Sequence, residues 1–137
     1  MKEQVLLGYF ENKVSVNFLV DDLKGSRQNS AHTFSLDVEF LENHMPFVVT
    51  RVHAIKLCDD TINGQLSFEN LNTIAFVVTC SDAFIVDEND EITNLFFDDW
   101  KETTMGYAWT FGNMKKWKEL LDFGVDSFES TDLKKGN

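Results

Sequence analysis

Strict alternation of apolar and polar side chains at residues 34–40 constrains the fold more than any other feature. The segment reads FSLDVEF, so every second side chain is apolar. A period of two predicts a β-strand with one buried and one wet face. A similar alternation covers residues 14–20, and residues 47–57 are rich in β-branched side chains. The first half of the chain therefore predicts strands.

Further segments have the apolar or β-branched composition that is typical of strands. These segments cover residues 4–10, 73–87, 92–97 and 107–111. Residues 4–10 and 13–20 are close enough along the chain to pair as a hairpin. The polar residues 21–31 predict a loop. Asn63 and Gly64 form the pair that most strongly favours a tight turn between antiparallel strands.

One segment, residues 113–123, has the spacing of a helix. Met114, Trp117 and Leu121 fall on one face of that helix, and Gly124 suits the left-handed position after its end. The sequence therefore predicts an α+β fold. We expect a mostly antiparallel sheet of about five to seven strands, with the C-terminal helix packed on one face of it.

The chain is long and apolar enough to form one domain with its own core. It has 137 residues, is 43% hydrophobic and contains a single proline, with no linker-like stretch. Residues 1–126 are predicted to be a single domain, followed by a polar, frayed tail at residues 127–137. The first residues do not resemble a signal peptide, and no apolar run reaches transmembrane length, so a cytoplasmic location is expected. Cys58 and Cys80 fit no CxxC motif and are expected to be free, buried thiols.

The net charge of −11 comes from 23 acidic and 12 basic residues. Such a charge disfavours direct binding to nucleic acid and to anionic membranes, and it favours a basic protein partner. The negative charge is also unevenly distributed. Residues 81–102 contain eight acidic residues and one lysine, a net charge of −7. Charge that serves only solubility is the alternative to a partner. A uniform distribution for solubility would not produce this concentration, although an exposed hairpin tip would produce part of it.

Two segments resemble calcium-binding loops but lack essential residues. Residues 59–70 have Asp59 and Gly64 at the first and sixth positions, but Asn70 stands where a bidentate glutamate is needed. A hairpin is the preferred interpretation of that segment. Residues 87–98 have no glycine at the sixth position. No metal site or cofactor is predicted.

The histidines and nucleophiles show no catalytic pattern. His32, His44 and His53 do not have the spacing of a metal-binding pair, and the chain contains neither a GxSxG motif nor a glycine-rich phosphate loop. No catalytic residue is therefore predicted, and the enzyme hypothesis is the weaker one.

Acidic residues flank an aromatic group at residues 96–100. Adjacent side chains on a strand point to opposite faces, so either a helix covers the second face of this segment or one ring of the group is exposed. An exposed ring surrounded by carboxylates is typical of a protein-binding surface. The predicted partner-binding residues are Asp87, Glu88, Asp90, Glu91, Phe97, Asp98, Asp99, Trp100 and Glu102.

The leading hypothesis is an acidic cytoplasmic protein that binds and occludes a basic protein. In general character the chain is similar to immunity proteins that neutralise nuclease toxins and to phage-type inhibitors. A nuclease must be basic around its phosphate site, so an acidic protein is attracted to that site. A second hypothesis is a small-molecule-binding or enzymatic domain with an aromatic-lined pocket, in which Asp37, Arg51 or His53 orients a ligand. A third is a structural homodimer subunit.

Overall fold

The protein is mainly helical in a computed structural model that describes residues 1–24, 27–29, 34–36 and 45–134. The α-helices of these ranges are α1 (Glu3–Phe10), α2 (Val16–Leu23), α3 (Arg51–Ile62), α4 (Phe68–Cys80), α5 (Glu91–Trp100) and α6 (Phe111–Phe123). The strands are β1 (Arg27–Asn29), β2 (Phe34–Leu36), β3 (Phe47–Val49) and β4 (Phe84–Val86). A short 3₁₀ helix spans Ser130–Asp132.

The predicted α+β class with a mostly antiparallel sheet is wrong. The described strands form two separate two-stranded sheets, an antiparallel pair β1–β2 and a parallel pair β3–β4. In the parallel pair, Val48 lies opposite Ile85. The strand predicted at residues 34–40 is confirmed only as Phe34–Leu36, and residues 37–40 lie outside the described part of the chain. The helices, not a sheet, form the body of the fold.

The strand predicted at residues 73–87 is confirmed only as Phe84–Val86, whereas residues 73–80 belong to helix α4. Residues 73–87 form a long apolar run, and such a run is compatible with either a buried strand or a buried helix. Ser67 accepts a hydrogen bond from the Asn70 backbone N–H (3.0 Å) and so caps a helix there. The helix then buries Leu71, Ile74 and their neighbours on more than one side. Burial therefore outweighs the weak strand preference of the β-branched residues.

Three other predicted strands are also helical. The strands predicted at residues 4–10, 13–20 and 92–97 fall largely within α1, α2 and α5. Only Phe47–Val49 of the strand predicted at residues 47–57 is extended, and the rest belongs to α3. The predicted loop at residues 21–31 contains the end of α2 and the whole of β1. Capping side chains start two of these helices, Ser15 at α2 and Asp90 at α5.

The hairpin predicted around Asn63 and Gly64 is a turn between two helices. Asn63 is the C-terminal cap of α3, and Gly64 has a φ of +80°. Glycine adopts this left-handed conformation without steric cost, and it commonly follows the end of a helix. The same pair that favours a strand hairpin therefore joins α3 to α4.

The C-terminal helix is confirmed, although it begins two residues earlier than predicted. Thr110 caps α6 by accepting a hydrogen bond from the Asn113 N–H (3.1 Å), and Gly124 ends the helix at a φ of +70°. Helix α6 contacts α3 and α5 rather than a sheet. Trp117 on its inner face lies against Phe96 of α5, with ring centroids 5.5 Å apart. This contact is at the centre of the core.

The last described residues pack against α6. The Tyr107 and Phe128 rings stack with centroids 3.9 Å apart, and the Ala108 N–H donates to the Asp132 carbonyl (2.8 Å). Lys116 forms an ion pair with Asp132, with Nζ and Oδ2 2.6 Å apart. Residues 128–134 are thus held in place, whereas residues 135–137 lie outside the described part. The domain boundary at residue 126 stays a prediction.

Both cysteines are free, as predicted, but only one of them is buried. Cys58 lies inside α3, where burial raises the pKa of its thiol, and Cys80 is exposed at the end of α4. The two thiols differ in exposure because they lie at different positions on different helices. Within the described ranges, none of the helices combines the length and apolar character needed to cross a membrane.

Replacing Trp117 by alanine should lower the free energy of unfolding by about 3–5 kcal/mol, because a large buried ring would leave a cavity. Urea denaturation followed by circular dichroism measures this change. Phe123→Ala is the matched control, because Phe123 lies on the same helix with 78% of its surface exposed. Phe123→Ala should lower the free energy of unfolding by less than about 0.5 kcal/mol. Equal costs for the two variants would contradict the placement of Trp117 in the core.

Candidate protein-binding face

Helix α5 places the acidic segment on one exposed face. Helical spacing brings Glu91, Leu95 and Asp98 to the same side of α5, and Glu102 follows just after the helix ends. All four are exposed. Glu88 is exposed just before the helix, and with Asp98 it lines one groove. We call these five residues the acidic face. It presents four carboxylates around one apolar side chain.

The nine predicted partner-binding residues separate into three groups. Glu88, Glu91, Asp98 and Glu102 are exposed and belong to the acidic face. Asp87, Asp90 and Asp99 are half-buried and make hydrogen bonds within the protein. Phe97 and Trp100 are buried. The assignment of these residues to a partner stays a prediction, but only the first group lies on an exposed surface.

The aromatic rings at residues 96–100 contribute nothing to the exposed surface. Phe96 and Phe97 are fully buried, and Trp100 is 1% exposed. The expectation of an exposed ring came from strand geometry, in which adjacent side chains point to opposite faces. On a helix, adjacent side chains are about 100° apart, so both phenylalanines fit within one apolar stripe. Leu95, which is 51% exposed, is the apolar residue of the outer face, and only the helical period identifies it.

Asp90 fixes the start of α5 through an ion pair. Its Oδ2 and Oδ1 accept hydrogen bonds from Arg51 Nε (2.9 Å) and Nη2 (2.7 Å), a two-pronged geometry. Its carboxylate also accepts from the N–H (3.2 Å) and hydroxyl (2.8 Å) of Thr93, which caps the helix. The guanidinium of Arg51 holds the pKa of Asp90 down at about 2. Arg51 Nη1 also donates to the Leu121 carbonyl (3.3 Å), which joins α3, α5 and α6.

Asn72 fixes the opposite end of α5. This buried side chain of α4 donates from Nδ2 to the Trp100 carbonyl (2.8 Å) and the Lys101 carbonyl (3.0 Å). These carbonyls lie at the C-terminus of α5, where helix carbonyls lack partners within the helix. Because both ends are held, α5 presents the acidic face in one orientation.

Asp99 supports the turn that follows α5. Its Oδ1 accepts a hydrogen bond from the Tyr107 N–H (3.1 Å), and burial raises the pKa of its carboxyl group. Gly106 has a φ of +84° and lies so close to Asp99 that an added Cβ would overlap Oδ1. Asp99 therefore stabilises the turn, while its neighbour Asp98 points to solvent.

A groove of about 320 Å³ runs beside the acidic face, between α4, β4 and α5. We call it the α4–α5 groove. Val78, Phe84 and Ile85 contribute apolar side chains to it, and Glu88, Asp98 and Lys101 contribute charged ones. Lys101 Nζ lies 3.4 Å from Asp98 Oδ1. The groove therefore combines an apolar surface with acidic groups of the face.

The calcium-loop candidate is occupied by structural contacts. Asp59 Oδ1 lies 2.5 Å from Lys118 Nζ, and Asp60 accepts a hydrogen bond from the Tyr9 hydroxyl. Burial and the Asp60 contact raise the pKa of Tyr9. In the described part of the chain, no three His, Cys, Asp or Glu side chains are grouped in a way that could hold a metal ion. The two carboxylates connect α3 to α6 and α1.

The side chains proposed to orient a small ligand also have local structural roles. His53 is half-buried and accepts the Thr50 N–H at Nδ1 (2.9 Å), which caps α3, and burial lowers its pKa. Arg51 pairs with Asp90. The remaining candidate, Asp37, lies outside the described residues.

Comparison with known proteins gives no match: no family model, no curated protein and no solved structure resembles the chain significantly. The exposed charge and the contacts of α5 are therefore the basis for inferring a function. Both the exposed charge and the contacts of α5 are observed in this chain itself.

Asp90→Asn should lower the free energy of unfolding by about 1–2 kcal/mol at pH 7, after allowance for solvent screening of the half-exposed Arg51. Asparagine still caps α5, so the change removes mainly the charge. The folded-state pKa of Asp90 is depressed, so its contribution is present above the unfolded pKa of about 3.9. That contribution is lost as the pH falls towards about 2. The difference between wild type and variant should therefore shrink between these pH values.

Urea denaturation at a series of pH values between neutrality and pH 2 measures this difference. Glu119→Gln is the control, because Glu119 is exposed on α6 and forms no ion pair with a described residue. A difference that is constant across the pH range would mean that the Asp90 charge does not stabilise the fold.

Proposed function

We propose that this chain is an acidic binding protein that covers a basic surface on a protein partner. The observation that supports this function is the acidic face, which presents the exposed carboxylates of Glu88, Glu91, Asp98 and Glu102 together with the exposed Leu95. A charged surface with an apolar centre is suited to recognition by a protein. The fixed ends of α5 reduce the entropy that the face would lose on binding.

The charge of the segment supports rapid association with such a partner. Residues 81–102 carry a net charge of −7, and the only base among them is Lys101. Opposite charges on two proteins raise the association rate by steering their encounter, and added salt weakens that effect. The carboxylates therefore act mainly on the rate of association, while Leu95 acts on the lifetime of the complex.

A cytoplasmic nuclease toxin is a partner of the required kind. Its phosphate-binding site must be basic, so an acidic protein that docks there excludes the nucleic acid substrate. In this proposal the chain acts by occlusion, as an immunity protein or a phage-type inhibitor would. The homodimer alternative does not suit the acidic face, because a two-fold interface would place like carboxylates against each other.

Replacing three carboxylates of the acidic face should slow association with the partner about tenfold at low salt. The face variant carries the changes Glu91→Gln, Asp98→Asn and Glu102→Gln. The control variant loses the same charge on α2 and α6, through Asp21→Asn, Glu119→Gln and Asp122→Asn. Partners are captured from a host lysate at low and high salt and identified by mass spectrometry. Stopped-flow mixing of the purified partner with each variant then gives the association rate.

The control variant should bind almost as fast as the wild type, because its altered charges lie on α2 and α6 and not on the acidic face. High salt should reduce the difference between the two variants. The proposal fails if the captured partners are acidic, if salt leaves association unchanged, or if both variants slow it equally.

A further inference from the structure

We propose that the α4–α5 groove is the anchoring pocket of the acidic face and receives one arginine or lysine side chain from the partner. This inference rests on the proposed function, since it assumes a basic protein partner. It adds where the partner is anchored and which kind of side chain anchors it, namely one with a long apolar stem that ends in a cation. Lysine and arginine are the side chains with that structure, because their methylene groups pack on apolar surfaces while their charged ends stay in water.

The apolar part of the groove is suited to the stem. Val78 and Phe84 are buried beneath the surface, while Ile85 lines the groove and is 40% exposed. A side chain laid across Ile85 would remove apolar surface from water. The volume of about 320 Å³ is near the lower limit of small-ligand sites, about 300–1,000 Å³, so the groove suits one side chain.

The charged part of the groove is suited to the cation. Glu88 and Asp98 both line it, and both are exposed. Glu88 forms no ion pair with any described residue, so its carboxylate is available to a partner. The apolar surface complements the stem of a cationic side chain, and the two carboxylates complement its charged end.

Lys101 already occupies one side of the groove. Its Nζ lies 3.4 Å from Asp98 Oδ1, and its side chain is about one-third exposed. The groove therefore binds a lysine ammonium of the same chain, in an exposed contact of the weak type. A cation from a partner would compete with Lys101 for Asp98 and would also meet Glu88. Lys101 thus acts as an internal competitor whose removal should favour the partner.

Four small probes distinguish the contribution of the apolar stem to binding from the contribution of the charge. The probes are N-acetyl-arginine amide, N-acetyl-lysine amide, N-acetyl-norleucine amide, which has a stem without charge, and guanidinium chloride, which has a charge without a stem. Each is titrated into the ¹⁵N-labelled chain, and the amide signals of Val78, Ile85 and Asp98 are followed by NMR. The arginine or lysine probe should give saturable shifts at these three amides. The norleucine and guanidinium probes should bind more weakly. Equal effects of all four probes, or shifts without saturation at the groove, would overturn the proposal.

Lys101→Gln should bind the arginine or lysine probe about threefold more tightly, because the competing exposed ion pair is lost. Lys115→Gln is the matched control: it removes the same charge from an exposed position of α6, outside the groove. Equal tightening in both variants would mean that net charge alone governs binding, and it would overturn the pocket. A gain of affinity also shows that the variant is folded.

Ile85→Ser should weaken the same probe about fivefold, through lost contact with the stem. Val48→Ser is its control, because Val48 lies opposite Ile85 in the parallel sheet and is similarly exposed but does not line the groove. Ile85→Leu should restore binding. Equal losses in Ile85→Ser and Val48→Ser would overturn the proposed pocket.

The experiments can overturn the proposed pocket and still support the acidic face as the binding surface. If Ile85→Ser and Lys101→Gln bind the purified partner as the wild type does, while the face variant binds slowly, the face stands and the pocket is overturned. If the face variant also binds normally, the proposed function is overturned with it. Saturation of the groove by spermidine or Mg²⁺ at lower concentration than by the arginine and lysine probes would assign it to a free cation and overturn the protein side chain as occupant.

Discussion

The ion pair between Arg51 and Asp90 connects the parts of the structure that the acidic face depends on. Arg51 begins α3, Asp90 caps α5, and a third hydrogen bond from Arg51 reaches the Leu121 carbonyl near the end of α6. One carboxylate therefore serves as a helix cap and as an ion-pair partner. A half-buried charge is stable only when it is paired and hydrogen-bonded, and Asp90 satisfies both conditions. This contact ties the first turn of α5 to the first turn of α3.

The acidic segment divides its carboxylates between stability and recognition. Asp90 and Asp99 point inward and satisfy backbone or guanidinium donors, whereas Asp98 points to solvent beside Asp99. Neighbours on a helix differ by about 100° in direction, which is enough to separate these roles within two adjacent residues. A high local charge is therefore compatible with a packed core, because only the outward carboxylates repel one another in water, where screening is strong.

Some features of the candidate face follow from the sequence. The concentration of acidic residues at residues 81–102 and the position of the C-terminal helix need no structure, since charge is counted directly and Trp117 and Leu121 recur at helical spacing. The strand interpretation leaves the exposure of Phe97 and Trp100 open, and their burial follows only from the helical period of α5. The groove beside α5 was not foreseen, since Ile85 and Asp98 are thirteen positions apart and meet only in the folded chain.

By itself, the sequence determined the amount and location of negative charge and the α6 helix. Tertiary structure decided whether the apolar runs became helices or strands. A run such as residues 73–80 buries its side chains equally well in either form, so periodicity leaves the choice open. Packing against neighbouring helices, together with caps such as Ser67 and Asp90, favours the helix. That choice also fixes the exposed surface, because the helical period turns Leu95 and Asp98 outward and Phe97 and Trp100 into the core.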